Sequence, residues 1–559
     1  MGKSEPKIIV YTCNWDAYSG LEKAGFEHLA YPASVYPLKV SCLGRLHPGL
    51  ILKAFALGAD GVLLLGCPPD QCHYDFGNKR AQELFAETAA LAHLLGIGEE
   101  RLHLDWVEAG DGQGFVQKVS RFAEGVNRGI RQSGNQEIRK IENVKLGTWN
   151  LERGTWNLEH RIYYCLDCGK CTAVCPVSRR EATFSPRALV EAITTAGLNS
   201  LSADNRLWAC LTCRRCSEVC PSDVRFSEFT RDLRAWARGN GQEGHCSHGE
   251  TIQTWMRLMT EAGLQQNRLD WLTPDLRTSS TSDTIYFVGC LPYYDVLFQK
   301  SGAQGVEIAQ SALRVLNHLG MEPRVLADER CCGHDLLWEG DISAFHRLAE
   351  LNAAMLRATG AKRLVTTCPE CAHTLKVEYR QQGHDLGMEV IHIAQLLASD
   401  EGIRKSGNQG IGESGNQRIG ESASQRIAAT RNTQHATRVT YHDPCRLGRY
   451  LKVYDEPRQV IAALGAELVE MENCRARSLC CGTSGWTNCG ATAKSIQVDR
   501  LREAKATGAE VLVTACAKCQ IHFRCAQADT QLGDELAIEI KDLTTLVAEA
   551  VGAKHSPSR

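Results

Sequence analysis

The chain has 559 residues, 63 Lys+Arg against 65 Asp+Glu, 43% apolar residues and 26 cysteines. At roughly 150 residues per domain the length predicts three or four domains, and the near-zero net charge excludes a nucleic-acid binder held by a broad basic face. Lys53 and Asp60 interrupt the best apolar run, so no membrane span is expected, and Met1-Gly-Lys-Ser-Glu-Pro lacks the apolar core of a secretory signal, so the cytoplasm is the expected compartment.

Dense disulfide frameworks belong to small secreted domains, so cysteines in a large chain read as unexported point to metal or redox chemistry. In chain order, residues 7–12, 38–41 and 61–66 read as short buried strands separated by helical patterns. Each leads into a cysteine, Cys13, Cys42 and Cys67, and Cys72 follows. The alternation predicts a parallel α/β sheet with its cysteines at the carboxyl ends of strands, where such sheets place ligands.

From about 127 to 160 the sequence turns polar, with Ser133-Gly-Asn-Gln and then Gly147-Thr-Trp-Asn-Leu-Glu-Arg repeated from Gly154. Residues 403–437 repeat Ser-Gly-Asn-Gln from Ser406 and Ser414. Both stretches read as low-complexity linkers at domain boundaries.

Between them lie Cys165-x2-Cys168-x2-Cys171-x3-Cys175-Pro176 and Cys210-x2-Cys213-x2-Cys216-x3-Cys220-Pro221, two copies of the bacterial ferredoxin spacing. Short gaps wrap three thiolates around one cubane, and the fourth cysteine of each run reaches the other cluster. Cys165, Cys168, Cys171 and Cys220 are therefore assigned to one [4Fe-4S] cluster, and Cys210, Cys213, Cys216 and Cys175 to the second. Four-cysteine zinc sites are the competing reading. Ser185–Thr195 reads as a helix inserted between the runs, and Arg214 and Arg215 as solvated surface.

Residues 284–399 and 438–552 form an internal repeat. Cys290 corresponds to Cys445, Cys331-Cys332-Gly333 to Cys480-Cys481-Gly482, and Cys368-x2-Cys371 to Cys516-x2-Cys519. Each copy supplies five thiolates, one more than a cubane needs. His334, His373, His442 and His522 lie near these motifs as candidate proton donors or pocket residues, with ordinary hydrogen-bonded histidines as the favoured reading. Cys246, Cys474, Cys489 and Cys525 fall outside the four groups and are read as small buried residues.

The pattern Cys290-Leu-Pro-Tyr-Tyr-Asp, Cys331-Cys332-Gly, Thr367-Cys-Pro-Glu-Cys371, then Tyr441-His-Asp-Pro-Cys445-Arg-Leu-Gly-Arg-Tyr, Cys480-Cys481-Gly and Cys516-Ala-Lys-Cys519 resembles the duplicated CCG domain of heterodisulfide reductases. With the ferredoxin-like runs, residues 160–552 resemble the fused electron-delivery and catalytic subunits. The resemblance implies one noncubane [4Fe-4S] cluster on Cys290, Cys331, Cys332, Cys368 and Cys371, a second on Cys445, Cys480, Cys481, Cys516 and Cys519, and disulfide cleavage between them. Cys13-Asn-Trp-Asp, Cys42-Leu-Gly-Arg-Leu-His-Pro and Leu65-Gly-Cys67-Pro-Pro-Asp-Gln-Cys72-His-Tyr-Asp-Phe-Gly-Asn-Lys resemble the delta subunit of methyl-viologen-reducing hydrogenase. This implies a [2Fe-2S] cluster on Cys13, Cys42, Cys67 and Cys72, although Asp16 stands where that family commonly completes a CxxC pair.

The expected architecture is multidomain α/β. A flavodoxin-like adaptor spans 1–126, a linker 127–159, a helical two-cluster ferredoxin-like domain 160–236 and connecting helices 237–283. One CCG module spans 284–400, a linker 401–437 and the second module 438–552. No Gly-x-Gly-x-x-Gly run follows a strand in dinucleotide context, which places flavin on a partner subunit. The resemblance implies as partners a heterodisulfide reductase flavoprotein-like subunit, a hydrogenase or formate dehydrogenase, and a small-molecule disulfide or thiol. Two alternatives stay open: the iron–sulfur subunit of a flavin-linked 2-hydroxyacid or glycerol-3-phosphate dehydrogenase, and an electron-transfer scaffold without a substrate.

Overall fold

The computed structural model describes residues 6–132, 162–197, 206–399, 437–529 and 532–552. The tandem repeat from Gly147 and residues 403–436 of the second polar stretch lie outside them. The chain divides into two compact units, Met1–Gly147 with Cys246–Arg268, and Thr148–His245 with Leu269–Arg559.

In the first unit β1 (Ile8–Cys13), β2 (Val35–Val40), β3 (Gly61–Gly66) and β4 (Leu102–Trp106) form a parallel sheet in the order β2-β1-β3-β4. This is the flavodoxin-like order, with its switch point between β1 and β3. Both central strands are buried throughout, as continuous apolar runs in a covered parallel sheet must be. The strand expected at 38–41 instead starts at Val35. An edge position tolerates Pro37, which cannot donate to a ladder, and leaves Tyr36 and Leu38 exposed, which blurs the apolar run. The last helix of this unit, Gly112–Gln132, runs a few residues past the linker boundary expected at 127.

Cys246–Arg268, expected among connecting helices, completes this first unit. The helix Thr251–Leu258 packs on Pro48–Ala56. Thr251 Oγ1 meets His47 Nδ1 at 2.9 Å, Lys53 pairs with Glu250 at 2.8 Å, and the Asn267 amide donates to the Leu94 carbonyl at 3.1 Å. Helix contact is close because Gly49 has no side chain; a Cβ there would run into the Gly249 carbonyl.

The second unit holds the repeat. β5 (Thr284–Phe287), β6 (Arg363–Thr366) and β7 (Glu389–His392) pair in parallel in that order, and Arg324 bridges Ile285 on the far side of β5. β8 (Arg438–His442), β9 (Glu467–Leu468), β10 (Val511–Thr514) and β11 (Glu539–Asp542) run parallel in the order β9-β8-β10-β11. Strand for strand the topologies coincide, with β9 in the place of the Arg324 bridge.

The two modules pack through reciprocal contacts. Helix Gly305–His318 of the first meets Leu543–Ala550 of the second, and Ile393–Ala398 of the first meets Asp455–Ala463 of the second. Val288, Leu313 and Ile393 share one core with Val439, Val513 and Leu543. The described residues between Ile162 and Gly239 form short helices and loops, including the expected inserted helix as Pro186–Ala196, capped by Ser185 accepting from the Ala188 amide at 3.3 Å. Among the described residues no helix is long and apolar enough to cross a membrane.

Gly49→Ala is expected to overpack the contact with Gly249 at a cost of about 1–3 kcal/mol. Hydrogen exchange of the full chain should then show faster exchange over residues 250–258 with β1 and β3 unchanged. Unaltered exchange there would contradict the packing described.

Candidate metal centres

Parallel topology gathers the first four thiols. Cys13 ends β1 and Cys67 follows β3, flanking the switch point, with their sulfurs 3.3 Å apart. A Cβ on Gly77 would stand 2.7 Å from the Cys42 sulfur and 2.9 Å from that of Cys72, so the glycine leaves open the space between them. Cys42 also lies close enough to Cys67 for their charges to interact. The Cys67 hydrogen bond draws the Cys13 thiol down to about 7. Burial raises the Asp16 carboxyl above the usual range, while a hydrogen bond with Cys67 partly opposes that rise.

The two ferredoxin-like runs interleave. One cleft is lined by Cys165, Cys168, Cys171 and Cys220, and another by Cys175, Cys210 and Cys213, with Cys216 in the wall of both. Equivalent residues take the left-handed conformation needed to wrap each loop: Asp167 and Gly169 at φ 52° and 75°, Thr212 and Arg214 at φ 45° and 65°. Arg215, expected at the surface, is buried, and Arg214 lies 5.0 Å over the Tyr450 ring.

Each five-cysteine set gathers at the carboxyl ends of strands. Cys290 follows β5 and Cys368 follows β6, as Cys445 follows β8 and Cys516 follows β10. Gly333 and Gly482 adopt φ of 82° and 98°, where an L side chain is strained, and this turn follows each adjacent cysteine pair. In the first set Cys332 and Cys371 are 3.5 Å apart, Cys331 bonds Cys290, and Cys371 bonds Cys368. In the second, Cys445 bonds Cys480, while Cys519 bonds both Cys481 and Cys516. Hydrogen bonds from neighbouring thiols hold Cys331 and Cys481 well below the usual thiol range.

One contact joins two groups of thiols. Cys213 of the second ferredoxin-like set hydrogen-bonds Cys480 of the second CCG set, which draws the Cys213 thiol down to about 5. The loop is pinned there by the Arg446–Tyr450 turn. Arg446 donates to the Thr212 carbonyl and Oγ1, both at 2.9 Å, Tyr450 OH to the same carbonyl at 2.8 Å, and Arg449 to the Cys213 carbonyl at 2.6 Å. Arg234, fully buried, binds the Cys210 carbonyl at 2.6 Å and the Trp338 carbonyl of the first module at 3.0 Å.

Between the modules the CxxC segments meet. Lys518 of one pair contacts Glu370 of the other at 2.7 Å and Asp335 at 2.5 Å. His334, Asp335 and Glu370 could group around a cation, and the Lys518 ammonium supplies it. Trp486 donates to Tyr294 OH at 3.2 Å, and Trp338 meets Tyr450 edge-on at 5.7 Å, so each module lends a tryptophan to the other's first-cysteine motif. His334 and His442 are hydrogen-bonded by Arg446 and Arg500, and His373 packs against Tyr450. His522 reaches a set thiol, with Nδ1 3.4 Å from Cys481. Of the remaining cysteines, Cys525 lies 3.4 Å from the Lys494 ammonium. Composition alone hid Arg446, Arg449 and Lys518, although all three stand inside the recognised motifs.

Residues 8–128 match the family described as methyl-viologen-reducing hydrogenase, delta subunit. Residues 131–224 match the 4Fe-4S dicluster domain, and 284–376 and 439–524 the cysteine-rich domain. The chain is 30% identical over 307 residues to one subunit of the dihydromethanophenazine:CoB–CoM heterodisulfide reductase of Methanosarcina mazei, covering 52% of this chain and 64% of that protein. It is 43% identical over 111 residues to an iron–sulfur subunit of the F420-non-reducing hydrogenase of Methanococcus voltae, covering 20% of this chain and 77% of that one. It is also 30% identical over 119 residues to one subunit of the ferredoxin:CoB–CoM heterodisulfide reductase of Methanosarcina mazei, 21% of this chain and 15% of that protein.

Replacing Arg234 with Met leaves the Cys210 and Trp338 carbonyls without their charged donor. A loss of about 3 kcal/mol or more is expected in chemical denaturation of the full chain, since each buried acceptor left bare costs on the order of 1–3 kcal/mol. A loss below about 1 kcal/mol would show that the guanidinium is dispensable.

Proposed function

Because this chain belongs to the heterodisulfide-reductase-type iron–sulfur proteins and carries an N-terminal domain of the methyl-viologen-reducing hydrogenase delta-subunit family, we propose that it is the fused electron-delivering and disulfide-reducing component of a redox complex. Iron–sulfur clusters, when bound, supply one-electron storage and transfer. Cys13, Cys42, Cys67 and Cys72 hold a [2Fe-2S] cluster. Cys165, Cys168, Cys171 and Cys220 hold one cubane, and Cys210, Cys213, Cys216 and Cys175 the other. The sets Cys290, Cys331, Cys332, Cys368, Cys371 and Cys445, Cys480, Cys481, Cys516, Cys519 hold one noncubane cluster each. The protein operates in the cytoplasm, where thiols stay reduced.

The single observation that carries this reading is the Cys213–Cys480 contact. It supports the reading because the second ferredoxin-like run meets the second CCG set there, the adjacency an electron route would need. Reduced flavin on a partner subunit, fed by a hydrogenase or formate dehydrogenase, is the electron source, and the N-terminal domain is the docking adaptor. At the far end a small-molecule disulfide takes two electrons and two protons, its S–S bond breaks, and two thiols leave. The intact thiols of both five-cysteine sets favour this reduction over a relay that ends on one set.

The test is an anaerobic preparation of the full chain analysed for iron and by EPR during redox titration with and without a small-molecule disulfide. About 18 Fe per chain is expected, from four four-iron clusters and one two-iron cluster. The disulfide should alter a signal that Cys332→Ser or Cys481→Ser removes while the cubane signals persist. About 8–10 Fe, or signals indifferent to disulfide and thiol, would contradict the proposal.

A further inference from the structure

The repeat allows charges at equivalent positions to be compared directly. Counted from the aligned cysteines, Glu329 of the first module stands where the second has Ser478, Asp335 where it has Ser484, and Glu370 where it has Lys518. Leu291 and Tyr294 stand where the second module has Arg446 and Arg449. Thus the first set is bordered by three acids and the second by three cations. Arg330 in the first module and Asp443 in the second run against this trend and narrow it by one charge on each side, leaving the two sets of opposite sign, and Asp443 is itself held by Arg458 at 2.7 and 3.0 Å.

These groups are placed to act on the sulfurs. Glu329 accepts from the Gly289 amide at 2.7 Å and from the Val288 amide at 3.1 Å, directly before Cys290. Asp335 and Glu370 stand beside first-module cysteines in the sequence and both pair with Lys518, and Glu370 also acts on Cys516 of the second set, so of the three acids Glu329 is the one that sets the first module apart most cleanly. Arg449 lies beside Cys213, Cys445 and Cys480, and Arg446 follows Cys445. Glu329, Asp335, Arg446, Arg449 and Lys518 are all buried, where a charge acts at longer range than in water.

We infer that the two five-cysteine sets are electrostatically unequal, the set of the second module taking up an electron at a higher potential than the set of the first. Negative charge added near Arg446, Arg449 and Lys518 is attracted, while negative charge added near Glu329, Asp335 and Glu370 is repelled. Each uptake is a one-electron reduction in which no bond forms or breaks. The second module is also the one that touches Cys213, so the favoured site is the entry site. An electron delivered there is held until a second reaches the first module, which suits a disulfide that must receive two.

The inference rests on both sets holding redox-active iron, as proposed above. It is tested by EPR-monitored titration of the anaerobic full chain with dithionite, with Cys290→Ser and Cys445→Ser assigning each signal to its module. The second-module signal should appear at the higher potential, an order readable without any charge substitution. Glu329→Gln should raise the midpoint of the first-module signal alone, and Lys518→Gln should lower the second-module signal more than the first. Two assigned signals in the reverse order, at equal potential, or moving together in Glu329→Gln would overturn the inference and leave the functional reading standing. Loss of every signal beyond the cubanes would overturn both.

Discussion

The organisation of the second unit turns on how the Arg446–Tyr450 turn grips the Thr212–Cys213 backbone. Two guanidinium groups and a phenol converge on two carbonyls and one hydroxyl at 2.6–2.9 Å. Buried carbonyls left bare are costly, and bonds from a charged donor are among the stronger ones in a protein. The grip therefore holds Cys213 against Cys480 and keeps its loop in the left-handed conformations that wrap a cluster. Arg234 extends the same arrangement to the first module, since one side chain joins the Cys210 and Trp338 carbonyls.

A duplicated fold supplies the rest. Reciprocal helix packing and the exchanged tryptophans give the modules a self-complementary interface of the kind seen in symmetric dimers. Sequence divergence then breaks the symmetry at its centre, where Glu370 and Lys518 occupy equivalent places and bond each other. A buried ion pair contributes little net stability against an apolar alternative, but losing one partner is expensive. Such a pair suits a chain that needs two like sites with unlike surroundings.

Much of the fold was legible because apolar runs, cysteine spacing and the internal repeat are local signals. The strands that lead to Cys13 and Cys67, the interleaving of the two ferredoxin-like runs and the internal repeat all follow from them. Other features depend on tertiary context. Thr251–Leu258 buries Ile252, Trp255 and Met256 against a helix some two hundred residues earlier, and no local pattern assigns it to that neighbour. Arg215 carries the composition of a surface residue yet is buried beside Asn473, because its loop is docked rather than solvated. Contact between Cys213 and Cys480 depends on a docking geometry that spacing does not encode.

In the function we propose, the thiols of the second unit form one continuous series of iron sites. Anomalous diffraction at the iron edge, on anaerobically grown crystals of the full chain, tests it most directly. It predicts four separate four-iron peaks in that unit, with the peak at Cys210, Cys213, Cys216 and Cys175 adjacent to the one at Cys445, Cys480, Cys481, Cys516 and Cys519. An iron peak missing from either five-cysteine set, or iron placed away from Cys213 and Cys480, would contradict it.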